Sequence, residues 1–224
     1  MLRILYQFPD WLRRLTYKDA FWRGNTEEKV VYLTFDDGPV PEVTPRVLDI
    51  LDEMGVKATF FWVGENLTKY PNLAAEVLRR GHYAGNHTYH HISGWQAPSI
   101  AYQSEILLTE QKMQEVRTLA GITEEQPKLF RPPYGRSGLR MHRWLKEKGY
   151  KVVLWDIVSH DYNRRYSPER IVQIVMHYVR PGSVLLMHDS LKSDHNIVTA
   201  LPLIIRRLQL EGYEFRLISS SAGE

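Results

Sequence analysis

From residue 30 to residue 217, short apolar runs alternate with longer stretches in which apolar residues recur at helical spacing. Residues 30–35 have the length and the β-branched, aromatic make-up of a buried strand. Residues 43–54 follow with Val47, Leu48 and Leu51 on one helical face. A second strand is predicted at 58–63. A helix over 73–80 lies between Pro71 and Gly81, the usual asymmetry of helix ends. Residues 82–84 predict a short third strand, and 99–119 a long helix stopped by Gly121. Further strands are predicted at 128–130, 152–156, 183–187 and 213–217, with helices at 139–148, 168–179 and 196–210 between them. Seven strands separated by helices imply a parallel sheet with right-handed crossovers. That many units favour a distorted, seven-stranded parallel (β/α) barrel over the alternative, a doubly wound sheet.

The first 29 residues have a different texture. Ile4, Leu5, Phe8, Trp11, Leu12 and Leu15 fall near helical spacing, with Arg3, Arg13 and Arg14 among them, and Pro9 is placed to start a helix. Two readings compete: a basic, aromatic segment lying on a membrane surface, or one packed on the protein's own surface. The stripe is short, which favours the second. The organisation expected is thus an N-terminal segment at 1–29 and one domain at 30–224.

Composition narrows the classes. Hydrophobic residues make up 43% and charged residues 25%, an ordinary globular balance without low-complexity stretches. The net charge of +3 is mild and scattered, which gives no support to nucleic-acid binding. There is no cysteine, so disulfides, thiolate metal sites and a cysteine nucleophile are excluded. No secretory apolar region and no membrane-spanning run is visible, and the expectation is a cytoplasmic protein, at most peripheral to the membrane.

The residues hardest to explain by packing fall just beyond the predicted strands. Thr-Phe-Asp-Asp-Gly-Pro, residues 34–39, delivers Asp36 and Asp37 after the first strand. On its own this reads as a turn, since Asp-Gly and Gly-Pro are turn formers. But His87, His90 and His91 follow the third strand, Arg131 and Tyr134 the fourth, His160 and Asp161 the fifth, and His188 and Asp189 the sixth. In a parallel β/α barrel the C-terminal strand ends share one face, and that face carries active sites. His87 and His91, four apart, would project to one side if the segment makes a helical turn. Two histidines and a carboxylate are a common ligand set for a catalytic divalent ion with positions left open. Adjacent carboxylates then make sense with separate jobs, one on a cation and one on a proton.

Four ordered motifs carry a resemblance: Thr-Phe-Asp-Asp-Gly at 34–38, His-Thr-Tyr-His-His at 87–91, Arg-Pro-Pro-Tyr-Gly at 131–135 and Leu-Leu-Met-His at 185–188. Together they resemble the polysaccharide deacetylase family, the NodB-homology domain of carbohydrate esterase family four, over about residues 30–217. The family's fourth motif, Asp-x-x-Asp-Trp, is altered here to Val158-Ser159-His160-Asp161-Tyr162, leaving Asp161 to carry its role and Asp156 as a weaker substitute.

The resemblance implies a metal-dependent hydrolase that removes N-acetyl groups from an amino-sugar carbohydrate such as a chitooligosaccharide or peptidoglycan. Asp37, His87 and His91 would hold the metal, zinc first and cobalt or nickel next. Asp36 would be the general base, held by Arg131, and His188 the general acid, tuned by Asp161. The Tyr134 backbone N–H would stabilise the oxyanion, and Leu186 would line the acetyl pocket. Trp95, beside Gly94, is the candidate groove wall, whereas Trp155 is expected in the core. His90 is expected on the surface or behind the ligands, and Asp189 and Ser190 as caps. Two other readings stay open: the same site acting on a small amide, cyclic ureide or O-acetyl ester, and a non-catalytic sugar-binding barrel. The substrate, the oligomeric state and the role of 1–29 are not specified by the sequence.

Overall fold

The computed structural model describes residues 6, 7, 17 and 19–219. The helix expected to start at Pro9 lies outside them. The elements run β1 Val30–Asp36, α1 Thr44–Glu53, β2 Thr59–Trp62, α2 Gly64–Lys69, α3 Pro71–Arg79, β3 Tyr83–Asn86, α4 Ser99–Ala120, β4 Leu129–Phe130, α5 Leu139–Glu147, β5 Lys151–Val152, β6 Ile157–Val158, α6 Pro168–Tyr178, β7 Ser183–His188, α7 Asp194–Leu210 and β8 Glu214–Phe215. Every pairing between these strands is parallel. Seven of them follow the order β5-β4-β3-β2-β1-β7-β6, with β8 hydrogen-bonded to β1 off that path. They curl into an open half-barrel.

Strand β1 displays the logic of the fold. Val31, Leu33 and Phe35 point into the layer of helices, where they meet Val47, Leu48 and Leu51 of α1 and Ile204, Ile205 and Leu208 of α7. Val30 and Tyr32 point the other way, into the barrel, with Phe61, Leu129, Val153 and Val184. The period of two is that of any strand. Its continuation puts Thr34 and Asp36 on the barrel side, so the interior turns polar toward the C-terminal ends. Each full burial of a core Leu, Val or Phe contributes roughly 1.5–3 kcal/mol, and this two-sided core fixes where the strand ends lie.

Helix termini follow the sequence signals. Ser167 caps α6, its Oγ accepting from the Arg170 N–H at 3.3 Å, with Pro168 at the first turn. Gly121 ends α4 with φ of 73°, a left-handed turn that glycine takes without strain.

The fifth predicted strand, 152–156, is corrected. The chain forms β5 on one edge of the sheet, leaves it at Val153, and begins β6 at Ile157 on the opposite edge. Residues 153–156 cross the open side. Residues before β1 occupy the backbone groups this leaves. The Phe21 N–H donates to Val152 O (2.8 Å), the Leu154 N–H donates to Phe21 O (2.9 Å), and the Val158 N–H donates to Tyr6 O (3.0 Å). Such pairing covers edges that would otherwise be templates for another strand. No helix among the described residues is long and apolar enough to cross a membrane.

Candidate active site

The C-terminal ends of β1, β3, β4, β6 and β7 open onto a cavity of about 440 Å³. Adjacent Asp36 and Asp37 part company because their backbones differ. Asp36 is the last residue of extended β1, whereas Asp37 has φ of 76° in the left-handed region. Aspartate tolerates that region better than most residues. The two carboxylates therefore turn to different partners.

Asp36 points into the barrel, where Arg131 reaches it. Arg131 is fully buried, its Nη1 donating to Asp36 Oδ1 at 2.5 Å and to Thr34 Oγ1 at 2.9 Å. Its Nε and Nη2 donate to the carbonyls of Val153 and Leu154 at 3.3 and 3.2 Å, on the segment that crosses the open side. The guanidinium lies 4.0 Å from the centre of the Phe61 ring. A buried cation so fully satisfied fixes the carboxylate it pairs with.

Asp37 turns toward two histidines. Its Oδ1 lies 3.3 Å from His91 Nε2 and 3.7 Å from His87 Nε2. That oxygen is buried and has no hydrogen-bond partner among the described residues. The ligand atoms of the three residues all lie within 4.8 Å of one another. Tetrahedral coordination with bonds of about 2.0–2.1 Å sets donors about 3.3 Å apart, so the cluster fits a divalent ion. The histidines are prepared for it. His87 Nδ1 lies 2.7 Å from Arg131 O. That carbonyl only accepts, so Nδ1 carries a proton and Nε2 is the nitrogen turned toward Asp37. Burial, with His87 nearby, pushes His91 down to about 4, against the pull of Asp37 and Asp36, which keeps it neutral. Burial raises the Asp37 carboxyl, but His188, His87, His91 and Lys192 outweigh this and hold it below the usual range.

The segment 87–91 makes no helical turn, the condition under which four-residue spacing alone would align its histidines. Residues 87–91 are irregular, with Thr88 at φ of 63° and His91 at 54°. These two left-handed residues bring the imidazole centroids to 5.0 Å. Removal of one ligand is expected to weaken metal binding by more than the roughly 10–100-fold seen for second-shell changes. His87→Ala should therefore lose its metal on dialysis, and unchanged stoichiometry by elemental analysis would remove His87 from the cluster.

Across the cavity, His188 ends β7 in register with Asp36 on β1. Its Nδ1 is 2.8 Å from Asp161 Oδ1, and its backbone N–H donates to Asp161 Oδ2 at 2.7 Å. Asp161 is itself buried and held by Ser159 Oγ and the Tyr162 N–H, both at 3.1 Å. Burial opposes the charged imidazole, but Asp161 outweighs it, with Asp37 and Asp36 adding, and His188 rises to about 9. The three carboxylates thus favour the charged imidazole in the metal-free protein.

Leu186 lies two residues before His188 on the same side of the strand and lines the cavity. Tyr134, with φ of 59°, also lines it, its ring edge-on to His91 at 4.8 Å. The Tyr134 N–H takes no backbone acceptor among the described residues. Trp95 is 65% exposed but is not part of the cavity wall; its Nε1 donates to Ser137 O on the loop that carries Tyr134. Trp155, expected in the core, is only half-buried and does line the cavity. His90 is exposed and bound to Glu105 at 2.8 Å, apart from the metal cluster. Asp156 faces away, paired with Arg180 (2.9 Å) and Ser183 Oγ (2.7 Å), so it does not replace the motif's first aspartate.

Sequence reasoning missed Lys192, which also lines the cavity; its position after His188 in the chain was the only signal. It also undervalued Asp189. This residue is fully buried, accepts from Thr44 Oγ1 at 2.6 Å, and sits so close to Gly38 that any Cβ there would collide with its carboxyl group. Burial pushes it up to about 8, with Thr44 pulling down and Asp37 adding to the rise. It is thus protonated when folded and ionised when unfolded above about pH 3.9. Stability from this carboxyl is complete below that value and drains away as pH rises toward 8. Asp189→Asn is expected to gain melting temperature over the wild type, in metal-free protein, by an amount that grows from pH 5 to pH 8. Three pH units at about 1.4 kcal/mol each bound the growth of that gain between pH 5 and pH 8 at about 4 kcal/mol. A difference constant with pH would show that Asp189 is ionised in the fold.

Comparison with known proteins places these features in context. The polysaccharide deacetylase family profile matches residues 23–153, spanning Asp36, Asp37, His87, His91, Arg131 and Tyr134 but ending before Asp161 and His188. A peptidoglycan-N-acetylglucosamine deacetylase of Bacillus cereus is 36% identical over 212 residues, covering 94% of this chain and 73% of that protein. The peptidoglycan-N-acetylmuramic acid deacetylase PdaA of Bacillus subtilis is 31% identical over 203 residues, 89% of this chain and 74% of that protein. The crystal structure of the Bc1960 peptidoglycan N-acetylglucosamine deacetylase superimposes with a TM-score of 0.84 at 33% identity, covering 94% of this chain and 95% of that one.

Proposed function

The chain belongs to the polysaccharide deacetylase family, and from that premise we propose that it removes the acetyl group from N-acetylated sugars of peptidoglycan. One observation carries the reading: a buried carboxylate fixed by arginine, an Asp-His-His cluster and an aspartate-held histidine converge on one cavity. The relatives' names divide between N-acetylglucosamine and N-acetylmuramic acid, so the substrate class is the N-acetyl amino sugar of the wall polymer.

Asp37, His87 and His91 would hold a divalent ion, zinc by donor type and geometry, with cobalt and nickel able to replace it. When bound, that ion acts as a Lewis acid toward water and carbonyl oxygen. Asp36 takes a proton from the attacking water as oxygen bonds to the acetamido carbon. The Tyr134 N–H donates to the oxygen that gains charge. His188, in its charged form, gives its proton to the sugar nitrogen, and the C–N bond breaks to yield acetate and a free amine. A positioned base or acid is worth about 10²–10⁴-fold each, and one oxyanion donor about 10²–10³-fold.

The test is acetate release from N-acetylglucosamine oligomers and from isolated peptidoglycan, using chelator-stripped protein with and without zinc, cobalt or nickel. Metal-dependent acetate is expected from both. Acetate from soluble wall precursors and none from the polymer would keep the chemistry and move the acceptor. No acetate from any of them, with metal bound, would overturn the reading in favour of a small amide, ureide or ester.

A further inference from the structure

Each charged group on the cavity wall has a partner of its own, with one exception. Asp36 pairs with Arg131, His188 with Asp161, and Asp37 faces His87 and His91. Lys192 is left over. It lines the cavity, it is exposed, and its ammonium group makes no hydrogen bond or ion pair among the described residues. The acids nearest to it in the chain are engaged elsewhere. Asp189 is buried against Thr44 Oγ1, and Asp194 pairs with Arg46.

The backbone beside Lys192 is tied to the catalytic strand. Lys192 lies in the short turn between His188, the end of β7, and Asp194, the start of α7. Buried Ser193 closes that turn. Its Oγ is 2.6 Å from His188 O and 2.8 Å from Ser190 O, and it accepts from the Ser190 N–H at 3.3 Å. The Ser193 N–H donates to Ser190 O at 3.0 Å. What remains free is the side chain, a compact point charge on a flexible four-carbon stem. Behind burial and the nearer charged groups, that charge still acts on Asp37 and His91 at the floor of the cavity. A cleft with an unmatched positive charge concentrates anions.

We infer that Lys192 is a specificity-determining residue that pairs with a carboxylate on, or next to, the reacting sugar. The inference rests on the deacetylase reading above and narrows the acceptor within it. The two sugars in the relatives' names differ by one group. N-acetylmuramic acid carries a lactyl ether ending in a carboxyl group where N-acetylglucosamine has a hydroxyl. The two alternate along a peptidoglycan strand, so whichever reacts has that group on itself or on its neighbour. The carboxylate is the lactyl group's own where the strand is bare, and the peptide's where one is attached. A homopolymer of N-acetylglucosamine has neither.

The experiment measures acetate release from an N-acetylglucosamine oligomer, from a bare wall glycan with free lactyl carboxylates, and from the glycan carrying its peptides. Each wall strand is also assayed with its carboxylates converted to methylamides. The wild type is expected to favour a charged strand over its methylamide by about 3–10-fold in kcat/KM, as for an ion pair at a half-open site. The difference should lie in KM, because the carboxylate is remote from the bonds that change, and it should shrink as salt screens the pair. Lys192→Met, which keeps the stem, should lose the preference. Lys192→Arg should keep it, and Lys192→Glu should invert it. Lys192 is exposed, so the variants should match the wild type in melting temperature and metal content. A preference shown by the bare glycan assigns the pairing to the lactyl carboxylate, and one shown only with peptides attached assigns it to theirs; either supports the inference. No preference for charge in the wild type, or the same preference in Lys192→Met, would overturn it and leave the deacetylase reading intact. A Lys192→Met loss equal on charged and neutral strands would overturn it too, since Lys192 would then act through the Asp-His-His cluster. A wild type inactive on every N-acetyl sugar would sink both.

Discussion

Asp36→Asn is expected to keep the metal cluster and lose about 10²–10⁴-fold in kcat. The atoms placed to hold a metal belong to Asp37, His87 and His91, and Asp36 is outside that cluster. What the change removes is a basic carboxylate whose Oδ1 is occupied by Arg131, leaving Oδ2, 3.7 Å from His87 Nε2, as the oxygen on the metal side. An amide oxygen there accepts a hydrogen bond but does not carry a proton away from water. The substitution also has a structural cost, because Arg131 is fully buried and Asp36 is its carboxylate partner. Leaving a buried charge uncompensated costs about 3–5 kcal/mol, which for a chain of this size lowers the melting temperature by about 6–20 °C. The assay therefore belongs at a temperature where the variant is folded, beside a melting curve and elemental analysis. A kcat within a few-fold of wild type, at full metal content, would remove Asp36 from the base role. A loss of metal together with activity would instead make Asp36 a ligand.

How much of this was legible in the sequence depended on the range of the interaction. The strand ends were legible because a buried parallel strand is a run of apolar residues, and the polar residue that stops it lies on the active face. Asp36, Asp37, His87, Arg131 and His188 follow that rule, but Asp156, which ends the predicted fifth strand, faces away, and Asp161 lies beyond β6. Their pairing needed register, and register is a property of two strands. Asp36 opposite His188 follows from six consecutive β1–β7 partners, visible only once the sheet forms. The crossing at 153–156 was read as strand because its residues are apolar, and they are: Val153 and Leu154 are buried. Periodicity reports burial, and here the burial belongs to a segment whose carbonyls serve Arg131 instead of a sheet ladder. Spacing of four suggested a helical turn for His87 and His91, but left-handed residues reached the same convergence by another route. Tyr6 and Gln7 could not have been matched with β6 from sequence, because the contacts of Gln7 lie about 150 residues away.

His188→Ala is expected to divide amide from activated ester. Departure of an amine requires a proton on nitrogen, whereas a good leaving alcohol departs without one. The variant should therefore lose about 10²–10⁴-fold on an N-acetyl sugar and far less on an acetyl ester of an acidic phenol. The structure makes His188 suited to the task. Asp161 accepts from both the ring and the backbone of His188, so the imidazole has one orientation and a pKa raised to about 9. The same coupling has a sign in stability. A histidine raised in the fold contributes fully below its unfolded value near 6.5, and that contribution is lost as pH rises through about 9. Metal-free wild type should accordingly lose stability between pH 6.5 and 9 from this group, and His188→Ala should lose that part of the slope, readable by denaturant titration at several pH values. Asp189, raised to about 8, adds to the same slope and fades as pH passes that value, so comparing His188→Ala with Asp189→Asn separates the two contributions. Equal losses on amide and ester would take the acid role from His188, and an unchanged slope above pH 8 would mean that Asp161 does not hold it protonated.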